Sequence, residues 1–116
     1  MTQSATIFHN PRCSKSRKTL ALLEERGIET RIVEYITTPL TGEQITDILT
    51  KLGMEAHGLL RTKEDAYQQC RLSKDSTHEE IVDAICAHPI LMERPIVIVA
   101  ERAAIGRPPE NILEIL

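Results

Sequence analysis

The sequence predicts an α/β fold: a mixed β-sheet flanked by helices, with an all-helical insertion between a βαβ half and a ββα half. Three observations lead there. The first 35 residues read strand, helix, strand. From Pro39 to His88 every convincing signal is helical. An apolar run then returns at Pro95, followed by a turn, a second strand and a closing helical segment. Strand–helix–strand order places a helix on a parallel pair, and a short connection between the late strands makes them an antiparallel hairpin.

Element by element, Ala5 to Phe8 reads as a short buried strand. A helix opens at Ser14 or Ser16, carries Leu20, Ala21, Leu22 and Leu23, and ends where Gly27 fits the left-handed position after a helix. Arg31 to Tyr35 reads as the second strand. Thr41-Gly42-Glu43-Gln44 is a capping box, followed by Ile45, Ile48, Leu49 and Leu52 at helical spacing and closed by Gly53. Shorter segments are expected over 54–60 and 62–70. Ser76-Thr77-His78-Glu79-Glu80 offers two overlapping capping boxes ahead of Ile81, Val82, Ala84 and Ile85, and Pro89 stops that helix. Pro95 to Ala100 suits a buried strand, Glu101-Arg102 a tight turn, and Ala103 to Ile105 the return strand. Pro108-Pro109 opens a final helix that turns Ile112, Leu113 and Leu116 inward. No linker-like stretch brackets residues 40–88, so the chain 1–116 is read as one domain with an insertion.

Composition narrows the function. At 116 residues the chain can bury one core, and with 3% aromatics and no Trp that core must be aliphatic. A net charge of −3 argues against non-specific nucleic-acid binding, which needs a basic face. No apolar run approaches the roughly 18 residues a membrane span needs. Three cysteines, none in a C-x-x-C pair and with no signal-like N-terminus, lead to the expectation of a reducing, cytoplasmic compartment. His57, His78 and His88 are scattered, with no ligand spacing for a metal site.

The chemistry concentrates in His9-Asn10-Pro11-Arg12-Cys13-Ser14-Lys15-Ser16-Arg17. Cys13 falls in a strand-to-helix turn beside the first amides of a helix. Those amides lack intrahelical partners, and the helix dipole adds positive charge there. Both effects favour thiolate over thiol, and Arg12, Lys15 and Arg17 add to them. His9 contributes charge when protonated, or serves as a hydrogen-bond partner. The same amides and cations suit an oxyanion. Pro11 fixes φ before the helix, and Ser14 or Ser16 is a candidate N-cap. Arg61, Arg94 and Arg107 each sit at a boundary between elements, where scaffolds present functional side chains. Periodicity alone does not bring them together.

The segment His9-Asn10-Pro11-x-Cys13-x-x-Ser16-Arg17 resembles the glutaredoxin-coupled arsenate reductase (ArsC-type) family. So do Arg61-Thr62-Lys63-Glu64, Glu93-Arg94-Pro95-Ile96-Val97 and Ile105-Gly106-Arg107-Pro108-Pro109-Glu110. The similarity spans essentially the whole chain. The resemblance implies a thioredoxin-like fold with a helical insertion, and Cys13 as the nucleophile that attacks arsenate. It implies oxyanion-binding roles for Arg61, Arg94 and Arg107, and for His9 a position near the thiol that affects its ionisation. Ser14, Lys15, Ser16 and Arg17 line the oxyanion's approach in this reading, with Asn10, Pro11 and Pro95 structural. Arg94-Pro95 matches the cis-proline bond of thioredoxin-like folds. No bound cofactor is implied. Glutathione is the expected co-substrate and glutaredoxin the partner that regenerates the thiol. The missing C-x-x-C pair is consistent with such an external thiol.

Competing functions are weighed on spacing. A cysteine phosphatase places Arg six positions after its Cys, where this chain has Thr19. A redox-responsive regulator of the same superfamily carries C-x-x-C, where this chain has Cys13-Ser14-Lys15-Ser16. A thiol oxidoreductase acting on another oxyanion or on a glutathionylated substrate remains the alternative. Cys70 and Cys86 have no assigned role. Cys86 is expected on a buried helix face, and Cys70 to be exposed.

Overall fold

The first strand, β1 (Ser4–Phe8), is the axis of the fold. In the computed structural model, which describes residues 4–116, it lies inside a four-stranded sheet between two neighbours of opposite sense. Helix α1 (Ser14–Glu25) returns the chain to β2 (Glu29–Val33), which pairs with β1 in parallel. Strand β3 (Ile96–Val99) pairs antiparallel with the other side of β1, and β4 (Arg102–Ile105) pairs antiparallel with β3. The order is β2-β1-β3-β4, a mixed sheet as the sequence predicts.

The chain divides into two compact units. Unit one comprises the sheet, α1 and the C-terminal segment (residues up to Thr38, and Arg94–Leu116). Its core joins Ala5 and Ile7 of β1 with Val97 and Val99 of β3, Leu23, Ile28, Ile112 and Ile115. Alternate residues along a strand share a face, which is why 5 and 7 meet 97 and 99. All are aliphatic, and each such side chain fully buried contributes roughly 1.5–3 kcal/mol.

Several expectations need correction here. The inward face of α1 is Ser16, Thr19 and Leu23, with Leu20 and Leu22 partly buried against the core and Ala21 exposed. Strand β2 begins and ends two residues earlier than expected, because its register is set by β1 (Ser4 opposite Glu29, Phe8 opposite Val33). Tyr35 is buried beyond its end. Arg102 opens β4 opposite Val99, so the hairpin turn is Ala100-Glu101, with Ala100 at φ 55°. The last helix is of 3₁₀ type over Pro109–Ile115 and buries Pro109, Ile112 and Ile115. Three residues per turn select that spacing and add Pro109 and Ile115 to the expected Ile112, while Leu116 packs partly buried against the core and Leu113 is half-buried.

Unit two (Pro39–Glu93) is helical among its described elements apart from one isolated bridge, Leu60 with Met92. Helix α2 (Gly42–Leu52) has the expected reciprocal capping box between Thr41 and Gln44, and Gly53 closes it at φ 67°. A 3₁₀ turn (Ala56–Leu59) and a short α3 (Asp65–Gln69) follow. Of the two overlapping boxes, Thr77 with Glu80 is the one that forms, and it opens α4 (His78–Ala87). A 3₁₀ turn over Pro89–Leu91 follows it. Cys86 is half-buried rather than buried, since α4 turns Ile81, Val82, Ala84 and Ile85 inward. Cys70 is also half-buried, at the end of α3.

Candidate active site

Sheet register gathers the site in unit one. Phe8 lies opposite Ile96, and Ile96 lies opposite Ile105. The residues after β1, before β3 and after β4 therefore emerge at one end of the sheet. These are His9–Cys13, Arg94-Pro95 and Gly106-Arg107. Chain topology alone brings together Cys13, Arg94 and Arg107.

The loop after β1 is tied by its own polar groups. The His9 amide donates to Val33 O (2.8 Å), extending the β1–β2 ladder by one residue. Buried Ser16 Oγ accepts from the Asn10 amide (3.1 Å) and shares a hydrogen bond with His9 Nδ1 (2.6 Å). Asn10 Oδ1 accepts from the Arg12 amide (3.0 Å), and Asn10 O from the Cys13 amide (3.0 Å). Arg17 folds back to donate from Nη1 to Pro11 O (3.3 Å). The Ser16 hydroxyl, expected among the oxyanion contacts, is thus committed inside the loop.

Cys13 itself is the N-cap of α1, with extended backbone (φ −94°, ψ 122°) and no side-chain capping bond. This corrects the expectation of Ser14 or Ser16 at the cap. The first helical amides have no intrahelical acceptor to bond. No acidic residue stands in the first turn, while half-exposed Lys15 and exposed Ser14 do. Positive charge at this helix end is left uncompensated.

Arg107 reaches the sulfur from the far end of the chain. Its Nη2 lies 3.7 Å from Cys13 Sγ, and its Nε donates to Arg94 O (2.9 Å). The carbonyl of Arg94 thus aims the guanidinium of Arg107. Arg94 keeps Nε and Nη1 shielded from solvent with no hydrogen bond to the described residues. Buried guanidinium donors call for an anionic acceptor. The Arg94-Pro95 bond is cis, as the resemblance implies, and Arg107-Pro108 is cis as well.

His9 is buried, which pushes its pKa below the ordinary imidazole value. The carboxylate of Glu34 opposes that shift, and Arg17 reinforces it weakly. Of the two roles open to His9, the neutral hydrogen-bonding partner is favoured over the added cation.

Arg61 belongs to unit two. Its amide donates to Leu91 O (2.7 Å), and its Nη1 pairs with Glu64 Oε1 (2.6 Å). Sequence reasoning missed this pairing, although Glu64 lies three residues on in the same motif.

A model of the ArsC family matches residues 8–115. The chain belongs to that family. It is 49% identical to the uncharacterized protein YfgD of Escherichia coli (strain K12), covering 100% of this chain and 99% of that one. It is 48% identical to the arsenate reductase of Neisseria meningitidis serogroup A, covering 95% of this chain and 96% of that one. The solved structure of an arsenate reductase from Vibrio cholerae superimposes with a TM-score of 0.96 at 41% identity, covering 100% of each chain. The mixed sheet flanked by helices is therefore the thioredoxin-like arrangement of ArsC proteins. Among the described residues no helix is long and apolar enough to cross a membrane.

One packing feature of this ArsC chain had a signal that sequence reading left unused. Gly106 approaches α1 so closely that a Cβ there would lie 2.5 Å from Thr19 Oγ1 and 2.9 Å from Pro95 Cγ. A glycine at a strand end is a known mark of close backbone approach.

Proposed function

We propose that the protein is an arsenate reductase that works through a covalent Cys13–arsenate adduct, with glutathione and glutaredoxin as the source of electrons. The observation that carries this reading is the guanidinium of Arg107, 3.7 Å from Cys13 Sγ, at an uncapped helix N-terminus. A thiolate attacking an anionic arsenate meets like-charge repulsion. Planar cationic donors offset that repulsion and hold the oxygens as charge builds up.

In the proposed cycle, Cys13 sulfur bonds to arsenic and one arsenate oxygen leaves as water. The thiol of glutathione then attacks Cys13 sulfur. The S–As bond breaks with its electron pair on arsenic, which departs as arsenite, and Cys13 is left in a mixed disulfide with glutathione. A glutaredoxin thiol removes the glutathione and returns Cys13 to the thiol. Arg94 and Arg107 hold arsenate oxygens together with the first amides of α1, flanked by Ser14, Lys15 and Arg17. Arg61 takes the same role by family resemblance. His9, Asn10, Ser16 and Pro11 keep the loop in shape, and Pro95 supports Arg94. The reducing cytoplasm is the compartment where this cycle runs.

A coupled assay with arsenate, glutathione and glutaredoxin tests the reading. Arsenite should accumulate only when all three are present. Activity no higher than in the Cys13→Ser variant would remove arsenate as the substrate. Full activity without glutathione would remove the electron source.

A further inference from the structure

We propose that Thr19 and Gly106 are positioning residues that hold Arg107 at Cys13. The proposal rests on the reading of Arg107 as an oxyanion holder. Cys13 caps α1, and Thr19 lies on the same helix six residues on, so the two move as one rigid body. Gly106 immediately precedes Arg107 and closes on Thr19. The contact between Thr19 and Gly106 therefore sets how near the guanidinium comes to the sulfur.

Gly106 has no left-handed backbone to explain it, so the glycine is there for space. An added Cβ would meet Thr19 Oγ1 at 2.5 Å, Pro95 Cγ at 2.9 Å and Thr19 Cγ2 at 3.1 Å. None of these atoms ends a flexible chain. Thr19 is β-branched, fully buried, and donates from Oγ1 to Lys15 O at 2.8 Å. Pro95 is a ring whose carbonyl accepts from the Gly106 amide at 2.9 Å. The segment carrying Arg107 would have to move off the helix instead. A displacement of about half an ångström is enough to weaken a 3.7 Å N–H···S contact.

The test compares alkylation of Cys13 by anionic iodoacetate and neutral iodoacetamide, followed on the Cys13 peptide by mass spectrometry. A cation beside the sulfur raises the iodoacetate-to-iodoacetamide rate ratio. Arg107→Gln should lower that ratio by about threefold or more. Gly106→Ala should lower it nearly as far, and Thr19→Ala/Gly106→Ala should recover at least half of the loss. Two of the three close contacts are to Thr19, and their removal lets the new methyl settle towards that space and away from Pro95 Cγ. If Gly106→Ala does not fold, folding of the double variant with a recovered ratio supports the same contact. A folded Gly106→Ala protein with the wild-type ratio overturns the proposal, as does a double variant that neither folds nor recovers. An unchanged ratio in Arg107→Gln removes the premise and, with it, the main support for the oxyanion reading. A fall in Arg107→Gln without one in Gly106→Ala rejects the positioning role alone.

Discussion

Helices α2 and α4 begin very differently from α1. Thr41 and Thr77 each accept a bond from the amide three residues on, and Gln44 and Glu80 reach back to the cap amide. Their first turns carry Glu43, and Glu79 with Glu80, which oppose the helix dipole. The Thr77 amide holds the Glu80 carboxyl below the ordinary carboxylate range. Helix α1 has no side-chain cap, no acid in its first turn, and Lys15 in its place. A helix that only needs to be stable satisfies its first amides within the chain. One that leaves them open and adds cations gives up that stabilisation and has an end suited to an anion, as the proposed arsenate site requires.

The largest expected effect is a reversal of that difference. Cys13→Ser supplies a good N-cap at the position where α1 lacks one. Arsenate turnover should fall to background while stability to denaturant holds or rises by about 0.5–1 kcal/mol. A clear loss of stability in urea titration would mean that Cys13 is a packing residue first. Next is Arg107→Ala, which removes the donor that faces the sulfur. Turnover should drop about a hundredfold, with stability changed by no more than about 0.5 kcal/mol because the side chain is exposed. Matched losses in both would make it a scaffolding arginine.

Third, Thr41→Ala or Thr77→Ala should each cost about 1 kcal/mol of stability. Turnover per folded molecule should stay at the wild-type level, as measured by assay after correcting for the folded fraction. A capping variant that lost activity in proportion to Arg107→Ala would erase the division between structural and functional helix starts. The smallest effect is on acid stability through His9. Its pKa is lowered on folding, so below the ordinary imidazole value of about 6.5 the unfolded chain takes up a proton that the native one resists. The His9 contribution is whole above that value and is lost as the pH falls through the lowered native pKa. Melting temperature should therefore fall less steeply from pH 7 to 5 in His9→Gln than in the wild type. Parallel slopes would show that burial of His9 is not what opposes its charging.

Much of this was legible in the chain itself. The strand–helix–strand opening, both threonine capping boxes, Gly27 and Gly53 as helix stops, and the clustering of Cys13 with cations all depend on residues a few positions apart. Local rules reach that far. They failed where a partner from elsewhere decides. The extent of β2 follows β1, and Arg102 is a strand residue because Val99 lies opposite. The last turn is 3₁₀ rather than α, so Ile115 joins the core, with Leu116 packed partly buried against it. Ser16 looked like a cap or an oxyanion ligand, and instead it ties His9 to Asn10.

By itself, then, the sequence determined that a cysteine stands at a helix start among positive charges, with three arginines at element boundaries. Short-range spacing and helix electrostatics suffice for that. Only the tertiary structure decided that Arg107, 94 positions from Cys13, comes to its sulfur, and that Gly106 needs to be bare for it to do so. Sheet register and side-chain volume set those distances, and neither is encoded by any one stretch of the chain.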